Sequence, residues 1–213
     1  MWRDRREAGR YLAEALKEFK NKDVLVLAIP RGGVVVGDEV ATALNAALDV
    51  VVPRKIGAPF NPELAIGAIA ADGSKVLDQN LIQRLDVSEE YLKKEIERQT
   101  EEIKRRISEY RGDRPPLEIE EKTVILVDDG VATGATTLAA IKYLRNKKPA
   151  QIILAIPVGP PDTVEKLKKE VDRLICLSIP SLFYAVGQFY EQFEQTTDQE
   201  VVDIISVHKK TRL

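Results

Sequence analysis

The chain contains short runs of β-branched and aliphatic residues that do not alternate with polar positions. Four runs are pronounced and a fifth is less regular: 24–29, 50–52, 124–127, 152–156 and 174–177. Uninterrupted apolar runs of this length are typical of strands buried on both faces, so they predict a parallel sheet. Helical patterns separate several of them, at 34–47, 135–146 and 163–170. The alternation predicts an α/β fold with right-handed crossovers.

Three segments fall outside this alternation. Residues 3–20 predict an amphipathic helix, and its apolar stripe consists of Tyr11, Leu12, Ala15, Leu16 and Phe19. Residues 54–64 contain two prolines and a glycine and therefore predict a loop. Residues 78–116 predict a helical insertion, in which Ser88 caps a long helix. We expect a single domain over residues 1–213, with this insertion and a small C-terminal element over 179–213.

Composition and charge exclude several classes of protein. Of the 213 residues, 44% are hydrophobic and 31% are charged, and the net charge is −2. This slightly acidic balance argues against nucleic acid as the main partner, because nucleic-acid-binding domains are usually strongly basic. No apolar run reaches the roughly 20 residues of a membrane-spanning helix, and none follows the charged N-terminus as in a secretion signal. The single cysteine, Cys176, excludes an internal disulfide framework. We therefore expect a cytoplasmic protein.

The strongest chemical signal follows the apolar run at 124–127. Two adjacent carboxylates, Asp128 and Asp129, come next, and a turn of small and hydroxyl-bearing residues then opens a helix. Free amides at a helix N-terminus form an anion site, and Gly134 lets a phosphate approach the backbone closely. Carboxylates beside such a site are explained if they accept hydrogen bonds from sugar hydroxyls or help to hold a divalent cation. The simpler alternative is that these aspartates and threonines only end a strand and cap a helix.

The stretch 125–137 resembles the motif with which type I phosphoribosyltransferases bind 5-phosphoribosyl-1-pyrophosphate (PRPP). The resemblance covers about 22–72 and 122–178, and it implies a three-layer α/β/α fold with a mostly parallel, doubly wound sheet. It also implies that Asp128 and Asp129 are the catalytic pair, which contacts the ribose 2- and 3-hydroxyls and helps to hold Mg²⁺, directly or through water. The residues implied for 5-phosphate binding are Ala132, Thr133, Gly134, Ala135, Thr136 and Thr137. Some members carry an aspartate, a candidate base for the acceptor, where this chain has Ala132.

A second signal follows the first predicted strand. Arg31, Gly32 and Gly33 open a helix there, at the place where the resemblance implies the pyrophosphate loop. Taken alone, these residues also fit an ordinary strand-to-helix turn. Because ligands of open α/β sheets lie beyond the carboxyl ends of strands at the switch point, we expect this turn to face Asp128 across one crevice.

A third signal follows the second predicted strand. Arg54 and Lys55 are adjacent cations that could neutralise a leaving pyrophosphate, although a solvated charge pair is the simpler interpretation. The resemblance favours the functional interpretation and implies that the loop at 54–64 closes over PRPP.

The region 181–193 is unusually aromatic for a chain in which aromatic residues make up 6%. One interpretation is a small satellite core, packed by a helix that begins near Thr197, where Thr197 and Glu200 can form a capping box. The alternative is a hood in which Phe183 and Tyr184 stack on a planar acceptor. In the family that this chain resembles, the hood is variable and sets the acceptor.

These observations favour an enzyme that uses PRPP and Mg²⁺ to transfer ribosyl 5-phosphate to an acceptor, a nucleobase by resemblance, with release of pyrophosphate. A PRPP-sensing regulator is the alternative, since the motif alone does not separate the two. A third possibility is that the helix at 88–112 serves as an oligomer interface or a lid, and the resemblance implies a homo-oligomer. His208, in a polar tail, and Cys176, in an apolar strand, are expected to be structural.

Overall fold

The computed structural model describes residues 1–208. The strands are β1 (Val24–Ala28), β2 (Ala47–Val50), β3 (Arg54–Ala58), β4 (Asn61–Ile69), β5 (Lys75–Leu77), β6 (Thr123–Val127), β7 (Gln151–Val158) and β8 (Arg173–Ser178). The α-helices are α1 (Arg5–Ala15), α2 (Gly32–Leu44), α3 (Gln79–Arg84), α4 (Glu89–Arg111), α5 (Ala135–Asn146), α6 (Pro161–Lys168) and α7 (Asp198–Val207). None of these helices is long and apolar enough to cross a membrane.

The main sheet has five parallel strands in the order β2-β1-β6-β7-β8. Alternate residues of its central strands enter different cores. Val26 of β1 packs in the core that includes α1 and α2, whereas Leu27 packs in the core that includes α5. Helices therefore cover both faces of the sheet, because strands that are apolar on both sides need cover on both sides. The predicted three-layer, doubly wound α/β/α fold is confirmed.

The loop predicted at 54–64 is wrong. This segment forms β3 and the first four residues of β4; the two strands pair antiparallel from Arg54 opposite Ile69, and β5 completes a second, three-stranded sheet. Ile56 and Ile66 are fully buried, so the hairpin contributes to the core. Both prolines lie near its tip, where the register shifts at Gly57 and the ladder does not require their missing N–H groups.

The helical insertion forms as predicted. Ser88 Oγ accepts a hydrogen bond from the N–H of Tyr91 at the start of α4. The buried positions of α4 include two polar residues, Glu95 and Gln99, besides Ile103 and Tyr110. Helix α4 packs against β3 and α7, so the insertion lies beside the hairpin and the C-terminal helix.

The two ends of the described chain meet in a satellite core. Trp2 and Tyr190 stack with ring centroids 5.6 Å apart, and the predicted capping box of Thr197 and Glu200 opens α7. The stripe predicted for the first helix is wrong at Tyr11, which is 60% exposed, and at Ala15, which is also exposed, because α1 buries Ala8, Leu12 and Ala13 and ends at Ala15. The predicted C-terminal element extended to residue 213, so its last five positions lie outside the described residues.

Candidate functional site

A cleft of about 490 Å³ opens beyond the carboxyl ends of β1 and β6. After β1 the chain passes through α2 to β2, and after β6 it passes through α5 to β7, on the opposite side of the sheet order. The two strands therefore form a switch point, which is where open α/β sheets bind ligands. The cleft is lined by Arg5, Ile29, Pro30, Arg31, Gly32, Pro53, Arg54, Lys55, Asp128, Asp129, Thr136, Phe193, Gln195 and Thr196.

The two predicted carboxylates lie in the wall of this cleft. Asp128 Oδ1 accepts a hydrogen bond from the backbone N–H of Asp129 at 2.8 Å. Burial raises the pKa of Asp128 well above its ordinary value, and the charge of Asp129 raises it further. Burial also raises the pKa of Asp129, whereas the nearby Arg5 guanidinium lowers it. The cleft thus holds two carboxylates whose ionisation is opposed by their surroundings, which is typical of functional sites.

The turn after β1 packs directly against these carboxylates. A Cβ added at Gly32 would lie 2.0 Å from Asp129 Oδ2, and one added at Gly33 would lie 2.9 Å from the Asp128 Cα. Only glycine permits an approach this close. The sequence prediction that this turn faces Asp128 across one crevice is therefore confirmed in its geometry.

Two helices begin at the cleft, and neither start is capped. Both α2 and α5 lack a side-chain capping bond and an acidic residue in the first turn. Gly134 enters α5 with a φ of +74°, in the left-handed region that glycine tolerates best. Every other α-helix within residues 1–208 has a capping side chain or an acidic first-turn residue. The Val34 N–H in the first turn of α2 donates to the Arg31 carbonyl at 3.0 Å. An uncapped helix start is a place where an anion can bind.

The six residues predicted to hold a phosphate form the turn into α5. Thr136 lines the cleft, Thr133 is exposed beside it in the chain, and Thr137 is only 1% exposed. The carbonyl of Ala132 accepts a hydrogen bond from the Thr163 hydroxyl at 2.7 Å, which ties the turn to α6. Of these six residues, Thr136 alone is among those that line the cleft.

Arg31, Arg54 and Lys55, the three predicted pyrophosphate cations, line the same cleft. Arg31 lies 3.8 Å from the carboxylate of Asp198, which also accepts a hydrogen bond from the Tyr110 hydroxyl. Lys55 Nζ lies 2.6 Å from Glu63 Oε2 across the hairpin. The fold thus brings the cation that follows β1 and the two cations that begin β3 to the carboxylates that follow β6.

Sequence reasoning missed Arg5. Its Nε lies 2.7 Å from Asp129 Oδ2, one terminal nitrogen donates to the carbonyl of Glu194, and its guanidinium stacks 3.8 Å from the Phe193 ring centre. The Arg5 side chain is 12% exposed and that of Asp129 is 15% exposed. Arg5 is therefore a largely buried cation that partly neutralises the carboxylate pair. The pattern of α1 gave no signal for this, because an arginine at a helix start is usually solvated.

The predicted hood residues lie elsewhere. Phe183 packs against Phe189 with ring centroids 5.3 Å apart, and Tyr184 is 86% exposed. Neither is among the described residues that line the cleft, whereas Phe193, from the same aromatic region, is. The satellite core is therefore formed as one of the two interpretations predicted, and any stacking role of Phe183 and Tyr184 stays a prediction.

His208 and Cys176 also lie away from the cleft lining. His208 Nε2 is 2.8 Å from Asp38 Oδ1, which links the end of α7 to α2. Cys176 in β8 donates to the Ser178 carbonyl, and burial raises the pKa of its thiol to about 11. Both contacts fit the structural roles expected for these residues.

Asp128 and Asp129 are also the residues that could contribute to a magnesium site. No group of three or more histidine, cysteine or acidic side chains suited to a metal occurs within residues 1–208. Mg²⁺ is usually held by one or two carboxylates together with substrate phosphates and water, rather than by a complete protein cage. Two cleft carboxylates beside two uncapped helix starts fit that mode of binding.

Comparison with known proteins agrees with this geometry. The model of the phosphoribosyl transferase domain family matches residues 5–194. The protein named "Putative phosphoribosyl transferase Rv0571c" from Mycobacterium tuberculosis is 43% identical over 199 residues, which are 93% of this chain and 45% of that protein. The crystal structure of TT1426 from Thermus thermophilus is 43% identical, with a TM-score of 0.80 over 96% of this chain and 97% of that one.

The chain belongs to the type I phosphoribosyltransferase family, because the family model spans most of its length and the fold and motif agree. It spans about half the length of the mycobacterial relative, 45% of that protein.

Proposed function

We propose that this protein is a phosphoribosyltransferase that uses PRPP and Mg²⁺ to transfer ribosyl 5-phosphate to an acceptor, a nucleobase, with release of pyrophosphate. One observation carries the proposal. The carboxylates Asp128 and Asp129 lie between two uncapped helix starts, and the glycine turn of one start touches them. A ligand with a phosphate at each end and a polyol between them fits this order of groups.

Each group of the cleft has a role in this proposal. The amides at the start of α5, with Thr136, hold the 5-phosphate, since a helix N-terminus favours an anion. Asp128 and Asp129 accept hydrogen bonds from the ribose hydroxyls and thereby fix the sugar. The turn at Gly32, together with Arg31, Arg54 and Lys55, holds the pyrophosphate.

The reaction breaks the bond between C1 of the ribose and the pyrophosphate oxygen, which leaves with the electron pair. A lone pair of the acceptor nitrogen then forms the new bond to C1. The cationic side chains stabilise the negative charge that develops on the leaving oxygen. Bound Mg²⁺, held by Asp128 and Asp129 together with the substrate, would neutralise further charge on the pyrophosphate.

Two measurements test this proposal. Calorimetry with PRPP and Mg²⁺ should show binding to the folded protein, and no heat would contradict the proposal at its base. A screen of purine, pyrimidine and nicotinate-type bases with PRPP should then show pyrophosphate release with at least one of them. Binding of PRPP without release across the panel, together with a salt-sensitive shift of DNA or RNA, would favour the regulator instead.

A further inference from the structure

Arg54 differs from the other cations of the cleft in having no carboxylate partner. Arg5 lies 2.7 Å from Asp129, Lys55 lies 2.6 Å from Glu63, and Arg31 lies 3.8 Å from Asp198. Within residues 1–208, no carboxylate lies within ion-pair distance of the half-buried Arg54 guanidinium. Burial lowers the pKa of Arg54 and the nearby charge of Arg106 lowers it further, whereas the charge of Glu102, beyond ion-pair distance, raises it.

The hydrogen bond that Arg54 makes is to a neutral group. Its Nε donates to the side-chain oxygen of Gln99 on α4, at 2.9 Å. Gln99 is 5% exposed and is not among the residues that line the cleft within the described chain. Gln99 therefore contacts Arg54 from the side of the helical insertion and not from the cleft.

The Gln99 amide can point in one direction only. Its nitrogen donates to Glu95 Oε1 at 2.8 Å, and its oxygen accepts from Arg54. A carboxylate only accepts and a guanidinium only donates, so a reversed amide would lose both bonds. Glu95 is in turn paired with Arg98 through two hydrogen bonds of 2.8 and 2.7 Å. The charge of Glu95 is thus neutralised by Arg98, and Arg54 receives an oriented but uncharged partner.

We propose that Gln99 is a positioning residue for pyrophosphate, and that it orients Arg54 without supplying a counter-ion, so that the ligand becomes the counter-ion. This inference rests on the proposed function and gives the helical insertion a part in it. A half-buried cation with no carboxylate within ion-pair distance is unfavourable in the free protein, and an arriving anion lowers that penalty. A carboxylate at position 99 would satisfy Arg54 in advance and oppose the ligand.

The test compares Gln99→Glu with Gln99→Met. Dissociation constants are measured by calorimetry for PRPP and for inorganic pyrophosphate, both with Mg²⁺, and for ribose 5-phosphate. Gln99→Glu should weaken pyrophosphate and PRPP binding by about tenfold or more, because the new carboxylate pairs with Arg54. Gln99→Met, which loses orientation but adds no charge, should weaken them less. Ribose 5-phosphate should bind all three proteins equally, since it does not reach Arg54.

Both variants lose the hydrogen bond that Gln99 donates to Glu95, so a purely structural Gln99 predicts similar losses for the two, with ribose 5-phosphate binding affected as well. A loss of pyrophosphate affinity in Gln99→Met as large as in Gln99→Glu, or an equal loss of ribose 5-phosphate binding, would overturn the inference. Gln83→Glu and Gln83→Met, at an exposed position of α3 in the same insertion, are the matched controls. Wild-type protein that binds neither PRPP nor pyrophosphate would instead overturn the proposed function, and this inference with it.

Arg54→Met keeps the inference testable if the Gln99 variants fold poorly. This variant should weaken pyrophosphate binding while raising the Tm of the ligand-free protein, because it removes the cation that lacks a counter-ion. In its background, Gln99→Glu should cause no further loss of pyrophosphate affinity. A further loss there would show that Gln99 acts through something other than Arg54.

Discussion

The helix starts at the cleft and the helix starts elsewhere satisfy their backbone amides in different ways. Asp4, Asp78, Ser88 and Thr197 cap α1, α3, α4 and α7, each accepting a hydrogen bond from a first-turn amide. The starts of α2 and α5 have no such bond and no acidic residue in the first turn, whereas α6, which also lacks a side-chain cap, has Asp162 there. A side-chain cap stabilises a helix by about 1 kcal/mol. The two starts at the cleft therefore lack this stabilisation, and under the proposed function a bound anion supplies it.

A carboxylate outside the cleft, Asp172, and one inside it, Asp128, also differ in how their charge is balanced. Asp172, outside the cleft, is paired with Arg145 and accepts from the Ile152 N–H, and its pKa is lowered. Asp128 has a raised pKa because burial and Asp129 disfavour its ionised form. Asp172 is thus compensated by a cation within the chain, whereas Asp128 lies beside a second carboxylate that itself pairs with Arg5. If this comparison is correct, substitutions inside the cleft should change PRPP affinity, whereas substitutions at helix starts outside it should change only the stability of the protein.

Asp128→Asn should give the largest effect on activity. The asparagine can still accept from the Asp129 N–H, but it loses the charge that grips the sugar and metal. Turnover should fall by about 100-fold or more, measured as pyrophosphate release. The ligand-free protein should at the same time gain stability at pH 7, with a Tm rise of about 2–4 °C for each kcal/mol.

The pH dependence of that gain has a definite sign. The pKa of Asp128 is raised above its ordinary 3.8, so the folded state binds more protons than the unfolded state above that pH. Wild-type stability therefore falls as the pH rises from about 4 through the raised pKa, and asparagine lacks this loss. The difference in Tm between variant and wild type should vanish near pH 4 and grow toward neutral pH. A constant difference across this range would contradict the role assigned to burial.

Ala135→Asp should convert the uncapped start of α5 into an ordinary one. A carboxylate in the first turn interacts favourably with the helix dipole, so the ligand-free protein should gain about 0.5 kcal/mol. The same charge should repel the 5-phosphate and weaken PRPP binding by about tenfold or more. Gln79→Asp, at the first residue of α3, is the control and should leave PRPP affinity unchanged. Unchanged affinity in Ala135→Asp would show that the phosphate does not lie at this helix start.

The sequence predicts the turn into α5 well because the residues that mark this turn are adjacent in the chain. Helix α5 was expected at 135–146 and has those bounds, since Gly134 and the preceding apolar strand mark its start. Arg5 was missed because its contact with Asp129 spans 124 positions and depends on where α1 packs. The hairpin of β3 and β4 was missed for a different reason. Its two prolines are typical of a loop, but they lie near the tip, where the pairing does not need their missing N–H groups.

The aromatic region at 181–193 could not be predicted in detail from local sequence patterns. Its composition indicated either a satellite core or a stacking surface, and the region does pack as a core. Which ring would face the cleft could not be predicted from it. No helical or strand periodicity orders residues 179–197, where the chain is irregular apart from a short 3₁₀ turn. Phe193 lines the cleft because its ring lies over Arg5, a contact between the two ends of the chain.

Arg5→Met should weaken PRPP binding less than Ala135→Asp does, and by an amount that depends on pH. Without the guanidinium, the pKa of Asp129 should rise further, because burial raises it and Arg5 opposes that rise. The ionised fraction of Asp129 at low pH then falls, so PRPP binding should weaken most at the acid end of the range and recover as the pH rises. Calorimetry over pH 5–9 measures this. Arg10→Met, at an exposed arginine of the same helix, is the control. An equal loss at every pH would indicate a packing role for Arg5 instead.

The smallest effects should come from removing one hydroxyl at each kind of helix start. Ser88→Ala removes the cap of α4 and should lower the free energy of unfolding by about 0.5–1 kcal/mol, with PRPP affinity unchanged. Thr136→Ala, at the start of α5, should leave stability unchanged and weaken PRPP binding a few-fold, since its hydroxyl faces the cleft. Denaturant unfolding and calorimetry on both variants measure the two quantities. If both variants changed stability and affinity together, the two kinds of helix start would not differ in function.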